Sequence, residues 1–168
     1  QLESRLLMMS TNSIFSPSSG KSIMTPTQDI ALGIYYLTTE SQADRRKRKA
    51  VQTGKENKER LPLFVDIHEV LFAFNDESVR LHNRIRFKNP DYQVDTVFGD
   101  KKSKVLTTTV GRVIFNEIWP RGMGFVNKTI DKSSLGTLIW HCHKLIGQEK
   151  SIMVLDSLKQ LGFEYATL

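Results

Sequence analysis

The sequence predicts an α+β fold that is mostly helical and contains a small antiparallel sheet. Three observations support this prediction. Apolar residues recur at helical spacing in the last third of the chain, and they alternate with polar residues in the middle third. The 168 residues, of which 39% are apolar, are enough to bury a core without a disulfide or metal. The single cysteine, Cys142, could not form an internal disulfide in any case.

The first third of the chain is predicted to form two helices separated by a turn. Leu2, Leu6 and Met9 share one helical face, and residues 16–20 have the composition of a turn. A second helix over 30–37 is apolar on nearly every side, which predicts that it is buried all round. This stretch is too short to span a membrane, and no signal peptide precedes it. We therefore expect a cytoplasmic protein.

Charge dominates between residues 38 and 60, where the periodicity disappears and an exposed, mobile linker is predicted. The net charge of +6 depends largely on one run of cations and falls to +1 without it. The run consists of Arg45, Arg46, Lys47, Arg48 and Lys49. These residues are candidates for binding nucleic acid or an acidic partner, and a solvated linker is the alternative. The chain is thus divided into segments 1–38, 39–61 and 62–168.

The middle third predicts one helix and then the sheet. Asp66 and Glu69 have the spacing of a capping box, which predicts a helix through about Phe74. Residues 79–87 and 92–98 alternate between apolar and polar, and 105–109 completes a small antiparallel sheet. Residues 89–104 are predicted to form a hairpin extension.

The last third predicts a pair of amphipathic helices. The first has an apolar stripe followed by Gly147 as its stop, and the second has Ser151 as its N-cap and ends at Gly162. The stripe of the first helix comprises Leu135, Leu138, Ile139, Cys142, Leu145 and Ile146. That of the second comprises Ile152, Leu155, Leu158 and Leu161.

Three short motifs have ordinary explanations. Gly20-Lys21-Ser22 resembles the end of a phosphate-binding loop, but Phe15 stands where that motif needs glycine, so a turn is expected. His141-Cys142-His143 cannot close on one metal ion because adjacent helical side chains diverge by about 100°. A packed thiol between two surface histidines is expected instead, and no metal site is predicted. Asn127-Lys128-Thr129 matches a glycosylation pattern to which we assign no role.

Two polar features are less readily explained by structure alone. Gln28 and Asp29 begin the apolar helix, where capping and compensation of the helix dipole are the simple explanation. Gly111 allows a close backbone approach, and Arg112 lies in the first turn of a helix predicted over 113–118. The dipole disfavours a cation there, so Arg112 is expected to have an anionic partner, either a phosphate or, by preference, an internal carboxylate.

Three blocks of sequence resemble the β′ subunit of bacterial DNA-directed RNA polymerase, in the same order. The first runs from Glu3 to Leu37 and contains Arg5-Leu6-Leu7-Met8-Met9-Ser10-Thr11-Asn12. The other two begin with Thr108-Thr109-Val110-Gly111-Arg112 and Leu155-Asp156-Ser157-Leu158. The first block is similar to the stretch that follows the catalytic aspartate motif of that subunit. The resemblance implies that the chain is a fragment of a larger multidomain subunit.

The resemblance also implies a function. In this family the region is the pore domain, which helps to form the secondary channel where nucleoside triphosphates enter. The chain would have no catalytic residue, and the enzyme's Mg²⁺ would be held by residues outside it. Its partners would be the β, α, ω and σ subunits, the DNA template, the nascent RNA and nucleoside triphosphates, in a nucleoid-associated enzyme. The nucleotide-channel candidates are Asn12, Gln28, Asp29 and Arg112.

Two other functions stay open at this point. One is a free-standing basic module that binds nucleic acid through the run from Arg45 to Lys49. The other is a nucleotide-binding enzyme that uses Gly20-Lys21-Ser22.

Overall fold

The structure is a computed structural model that describes residues 28–42, 45–46 and 61–166. The predicted helix near residues 2–9, the Gly20-Lys21-Ser22 turn and Asn12 lie outside the described residues, as do Lys47, Arg48 and Lys49. The described chain divides into two compact units. The first contains residues up to 36, with 118–123 and 130–166, and the second contains 37–117 and 124–129. The three-part division at residues 38 and 61 stays a prediction.

The second unit contains the sheet, whose strands are β1 (Leu63–Phe64), β2 (Arg84–Lys88) and β3 (Val105–Thr109), in the order β1-β2-β3. β2 and β3 pair antiparallel, as predicted, but β1 runs parallel to β2, so the sheet is mixed. Ile85 and Phe87 are buried and Arg86 is exposed, which is the predicted alternation. The strand is shorter than expected because residues 78–83 form bends and turns.

The capping box of the second unit is confirmed. Helix α2 (Ile67–Asn75) begins after Asp66, whose carboxylate accepts a hydrogen bond from the Glu69 backbone N–H at 2.9 Å. The Glu69 carboxylate accepts in return from the N–H of Val65, one residue before the cap, at 2.7 Å. Both bonds satisfy backbone donors that the start of a helix leaves without partners.

The predicted strand over 92–98 is wrong, because residues 89–104 form a compact loop of turns and bends. Buried polar side chains hold this loop: the Asn89 amide donates to the carbonyls of Asp100 and Ser103. The Asp91 carboxylate accepts from the Phe125 N–H at 2.6 Å. Gln93 has a φ of +60°, which no regular strand contains.

Helix α3 (Val110–Asn116) directly follows β3 and begins three residues before the predicted start at 113. Thr109 ends the strand and caps the helix, which explains the earlier start. The sheet packs with α2 and α3 around one apolar cluster, which consists of Val70, Val79, Ile85, Phe87, Leu106, Val110, Val113 and Phe125.

The first unit contains most of α1 (Gln28–Thr38), whose last two residues belong to the second unit. The expectation that this helix is buried all round is wrong, because Leu32, Tyr35 and Tyr36 are 56%, 47% and 45% exposed in this chain. Its Gly33 lies against the backbone of Gly162, where an added Cβ would stand 2.0 Å from the Gly162 carbonyl oxygen. No residue larger than glycine fits this contact.

The predicted C-terminal helix pair is present over Lys132–Ala166, which is broken at Gly147 into α4 (132–146) and α5 (148–166). Gly147 has a φ of +82°, a conformation that favours glycine, so the predicted stop is confirmed. Four of the six residues predicted to face the core from α4 are buried, and Leu145 is exposed. The stripe therefore faces the core except in its last turn.

Two details predicted for α5 are wrong. The helix starts directly after Gly147, so Ser151 lies inside it, and the Ser151 hydroxyl donates to the Gly147 carbonyl at 2.6 Å. Gly162 does not end the helix, which continues to Ala166, because its role is the close contact with Gly33. Leu158 is the one residue of the predicted stripe that is buried. The other buried residues of α5 are Ser151, Gly162 and Tyr165, which the stripe did not include.

Candidate functional site

Arg112 is the predicted site residue with the most extensive surroundings in the structure. It lies in the second unit, in the first turn of α3, and its backbone N–H donates to the Oγ1 of the N-cap Thr109 at 3.2 Å. The helix packs so closely that a Cβ on Gly111 would stand 1.9 Å from the Leu37 carbonyl oxygen. The close approach expected at Gly111 is therefore confirmed.

The guanidinium of Arg112 is buried and joins three separate segments of the second unit. Its Nε donates to the Thr38 carbonyl at 2.9 Å, and its two terminal nitrogens donate to Asn127 Oδ1 at 3.2 Å and Thr129 Oγ1 at 3.3 Å. The residue is only 7% exposed. These three acceptors are neutral oxygens, and the anionic partner expected for Arg112 stays a prediction. The geometry makes Arg112 a clamp that joins α3 to the end of α1 and to the loop that contains Asn127 and Thr129.

Two asparagines extend this clamp along the loop that follows α3. The Asn116 amide donates to the carbonyls of Arg112 at 2.7 Å and Val126 at 3.0 Å, and its oxygen accepts from the Val126 N–H at 2.7 Å. The Asn127 amide donates to the Thr107 carbonyl at 2.8 Å. The loop is thus attached to both the helix and the sheet through side-chain amides.

A polar cavity of about 120 Å³ lies beside Arg112 in the second unit. It is lined by Glu40, Arg84, Thr107, Thr108, Thr109 and Arg112. The Arg84 Nε is 3.4 Å from a Glu40 carboxylate oxygen, and only 5% of the Glu40 side chain is exposed. Two guanidinium groups and one carboxylate give the lining an excess of one positive charge. The cavity therefore suits water or an anionic group better than an apolar ligand.

The other predicted site residues that the structure describes do not line this cavity. Gln28 and Asp29 are exposed at the start of α1, and Arg45 and Arg46 are exposed as well. Glu40 is buried although it falls within the predicted linker. The structure thus leaves the channel and nucleic-acid roles of these residues as predictions.

Sequence reasoning missed the partners of Arg112. Asn127 and Thr129 were visible only as a glycosylation pattern, yet two residues spaced i and i+2 lie on the same side of an extended chain. That spacing was the available signal for two side chains with one common partner. The contact with Thr38, 74 residues away along the chain, leaves no trace in a local pattern.

Cys142 is a packed thiol, as predicted, and is 2% exposed. Burial raises the pKa of its thiol above the usual range, and a hydrogen bond with Ser151 partly opposes this. His141 and His143 are half-buried rather than on the surface. Among the described residues, no three His, Cys, Asp or Glu side chains stand close enough to hold a metal ion. The Mg²⁺ ligands implied by the resemblance stay predicted to lie elsewhere in the subunit.

A search of the helices in the described part of the chain finds none long and apolar enough to cross a membrane. The apolar helix α1 has 11 residues, about half the length that a membrane-spanning helix needs.

Comparison with known proteins gives a consistent result. Residues 13–168 match the family model for RNA polymerase Rpb1, domain 3. The chain is 52% identical over 167 residues to the DNA-directed RNA polymerase subunit beta' of Methylacidiphilum infernorum and 52% identical over 165 residues to that of Opitutus terrae. It is 36% identical to the same subunit of Desulforudis audaxviator.

These alignments cover 98–99% of the chain and only 11–12% of the relatives. The chain thus spans about a tenth of the length of the curated relatives it matches. The resemblance seen in three ordered blocks of sequence is confirmed along almost the whole chain. The chain belongs to the RNA polymerase Rpb1, domain 3 family, as a part of a β′ subunit.

Proposed function

We propose that the chain forms part of the pore, or secondary channel, of a DNA-directed RNA polymerase, the passage by which nucleoside triphosphates reach the active site. The observation that carries the proposal is the match to β′ subunits along 99% of the chain. In this proposal the region follows the catalytic aspartates of the subunit and lies next to the site that consumes nucleotides. The chain alone is not expected to be catalytic.

The internal structure of each unit supports a role as a channel wall. A wall must keep its shape while ligands pass, so it needs rigid packing and a few polar groups in fixed positions. In the first unit, α1 and α5 approach so closely at Gly33 and Gly162 that only glycine fits. In the second, the Arg112 clamp fixes the loop after α3.

The proposal includes the rest of the enzyme. The chain would work with the β, α, ω and σ subunits on template DNA and nascent RNA, in the cytoplasm and at the nucleoid. The Mg²⁺ of the active site would supply Lewis-acid chemistry from ligands outside this segment. No residue described above fits a metal site, so no step of the reaction is assigned to this chain.

Arg112 has a positioning role within this proposal. Because it is buried and bonded to Thr38, Asn127 and Thr129, it acts on nucleotides through the shape of the wall. We expect the Arg112→Ala polymerase to lose thermal stability. The nucleotide concentration for half-maximal elongation should rise only in proportion to that loss of stability. A variant that melts like the wild type but needs much more nucleotide would make Arg112 a group that guides phosphates directly.

The channel itself can be tested with a bulky label at Asp29, an exposed residue at the start of α1. The assembled polymerase, cleared of other reactive cysteines, carries Asp29→Cys modified with a polyethylene glycol maleimide. Cys142 can stay, because it is buried and its raised pKa keeps it a thiol.

The matched control is Asp100→Cys with the same label, in the exposed loop of the second unit. If Asp29 lines the nucleotide passage, its label raises the nucleotide concentration for half-maximal elongation several-fold and the control label leaves it unchanged. Equal kinetics for the two labelled enzymes would contradict the channel role of this helix end.

A further inference from the structure

The outer face of the β2–β3 pair combines cations with hydroxyl groups. Along β2 the side chains of Ile85 and Phe87 enter the apolar core, so Arg84, Arg86 and Lys88 lie on the opposite face. In the antiparallel register, Thr109 stands across from Arg84 and Thr107 across from Arg86. Three cations thus lie on the same face of two strands as two threonines, and of these residues Arg86, Lys88 and Thr107 are exposed.

The charges on this face are only partly neutralised. Arg84 is paired with Glu40 at 3.4 Å. Arg86 donates from Nε to the carbonyl of Leu61 at 3.1 Å, a neutral acceptor that fixes the side chain without cancelling its charge. Within the described ranges, neither Arg86 nor Lys88 has a carboxylate partner, and both residues are exposed. At least two cations on this face are therefore available to an external anion.

The cavity beside Arg112 shares part of its lining with this face. Arg84, Thr107 and Thr109 belong both to the face and to the cavity lining. Thr108 also lines the cavity, and its buried hydroxyl has no hydrogen-bond partner among the described residues. The cationic row is thus continuous with a polar recess that carries one excess positive charge.

The spacing of the row suits a chain of phosphates better than one compact anion. Residues i and i+2 of a strand are separated by about 6.6–6.8 Å, so Arg84 and Lys88 lie roughly 13 Å apart. Successive phosphates in an extended single strand repeat at an interval similar to the spacing between residues i and i+2 of the strand. The three phosphates of one nucleotide are more closely spaced than that. Proteins that bind single strands without base preference use positively charged surfaces that follow the backbone in this way.

We propose that the outer face of β2 and β3 binds the phosphate backbone of a single-stranded nucleic acid through Arg86 and Lys88, with the Thr107 hydroxyl as a hydrogen-bond donor. The inference rests on the charges and register of this face and not on the proposed channel. Nothing on this face selects bases, so the contact is independent of sequence.

The test uses the assembled polymerase with a photo-crosslinking amino acid in place of Val105, which stands across from Lys88 on the same face and is 40% exposed. The probes are labelled oligouridylate, oligothymidylate of the same length, a duplex of the same length and uridine triphosphate. We expect both single strands to crosslink at this position and the duplex to crosslink weakly. Oligouridylate and oligothymidylate together separate an RNA source from a DNA source of the same phosphate chemistry.

The variant Arg86→Gln/Lys88→Gln is compared with Lys101→Gln/Lys102→Gln, which removes the same charge from the exposed loop. Loss of two phosphate contacts lowers the salt dependence of crosslinking, as the slope of log yield against log salt, by about 1.4. The loop variant keeps the wild-type slope. Gel filtration confirms that each variant enters the complete enzyme.

The proposal fails if no single strand crosslinks to the enzyme that carries the crosslinking residue and no other substitution, once gel filtration shows that this enzyme is complete. It also fails if the β2 variant keeps the wild-type slope, if the duplex crosslinks more strongly, or if uridine triphosphate protects the face better than an oligonucleotide. A normal response to the label at Asp29 alongside any of these results would leave the proposed channel intact.

Discussion

The first unit is assembled from apolar helix faces and glycine contacts, whereas the second is assembled from polar side chains that attach loops to a sheet. In the first, Gly33 meets the backbone of Gly162 and Leu138 is buried in the α4 stripe. In the second, Arg112 and Asn116 satisfy carbonyls in segments far apart in the chain. The difference follows from backbone chemistry, because helices satisfy their own hydrogen bonds and irregular loops need side chains to do so.

The largest effect should come from the second unit. Arg112→Ala removes three buried donors and leaves the oxygens of Thr38, Asn127 and Thr129 without them, so we expect the free energy of unfolding to fall by about 3–5 kcal/mol. Urea denaturation of the chain measures it. Arg86→Ala, at an exposed position, should cost less than about 1 kcal/mol. Equal losses of unfolding free energy for the two arginine variants would contradict the clamp role of Arg112.

In the first unit the corresponding change is apolar. Leu138→Ala empties a site that is 2% exposed and should cost about 2–5 kcal/mol, because it combines lost burial with a cavity. Leu145 is the control, since it lies on the same helix but is 45% exposed, and its change to Ala should cost less than about 1 kcal/mol. The same urea series gives both values. Similar losses at the two positions would show that the α4 stripe does not define the core.

A smaller effect distinguishes two glycines of the first unit. Gly33→Ala forces a methyl group against the Gly162 carbonyl, and we expect a loss of about 1–3 kcal/mol. Gly136 lies within α4 with no atom near its missing Cβ, so Gly136→Ala should stabilise by about 0.5–1 kcal/mol through helix propensity. Opposite signs in thermal melting are the expected outcome. A gain at both positions would mean that α1 and α5 can separate without cost.

The smallest effect is a pH dependence in the first unit. Burial raises the pKa of the Cys142 thiol, so the unfolded chain ionises first, near the ordinary value of about 8.5. The contribution of this thiol is complete below that pH and is lost as the pH rises through its folded pKa. The stability difference between wild type and Cys142→Ala should therefore begin to narrow once the pH rises above the ordinary pKa of a thiol. Melting temperatures measure it, and a constant difference would contradict the shift.

The first unit was largely predictable because its signals are local. The α4 stripe from Leu135 to Cys142 and the stop at Gly147 depend on spacing within one helix, and both were found. The errors there involve small residues. Gly162 has the composition of a helix end, yet it is a packing contact whose partner, Gly33, lies about 130 residues earlier, and no local pattern distinguishes the two.

The second unit was predictable only where the two partners of a hydrogen bond are close together along the chain. Asp66 and Glu69 were identified because their partners are three and four residues away. The alternation over 92–98 predicted a strand, but Asp91 bonds to Phe125, 34 residues on, and this contact holds the segment as a loop. The neutral acceptors around Arg112 were missed for the same reason. Periodicity reports on apolar burial and does not report which polar groups will meet.

The bond between Arg112 and Thr38 has a consequence for the entropy of closing the chain. It closes a circuit of 74 residues, and the Ser41 N–H, which donates to the His82 carbonyl at 3.3 Å, closes a shorter one inside it. The entropy of closing such a circuit grows only with the logarithm of its length, so doubling it costs about 0.6 kcal/mol. A change of a few residues in the length of such a circuit therefore alters its closure entropy by less than a doubling does.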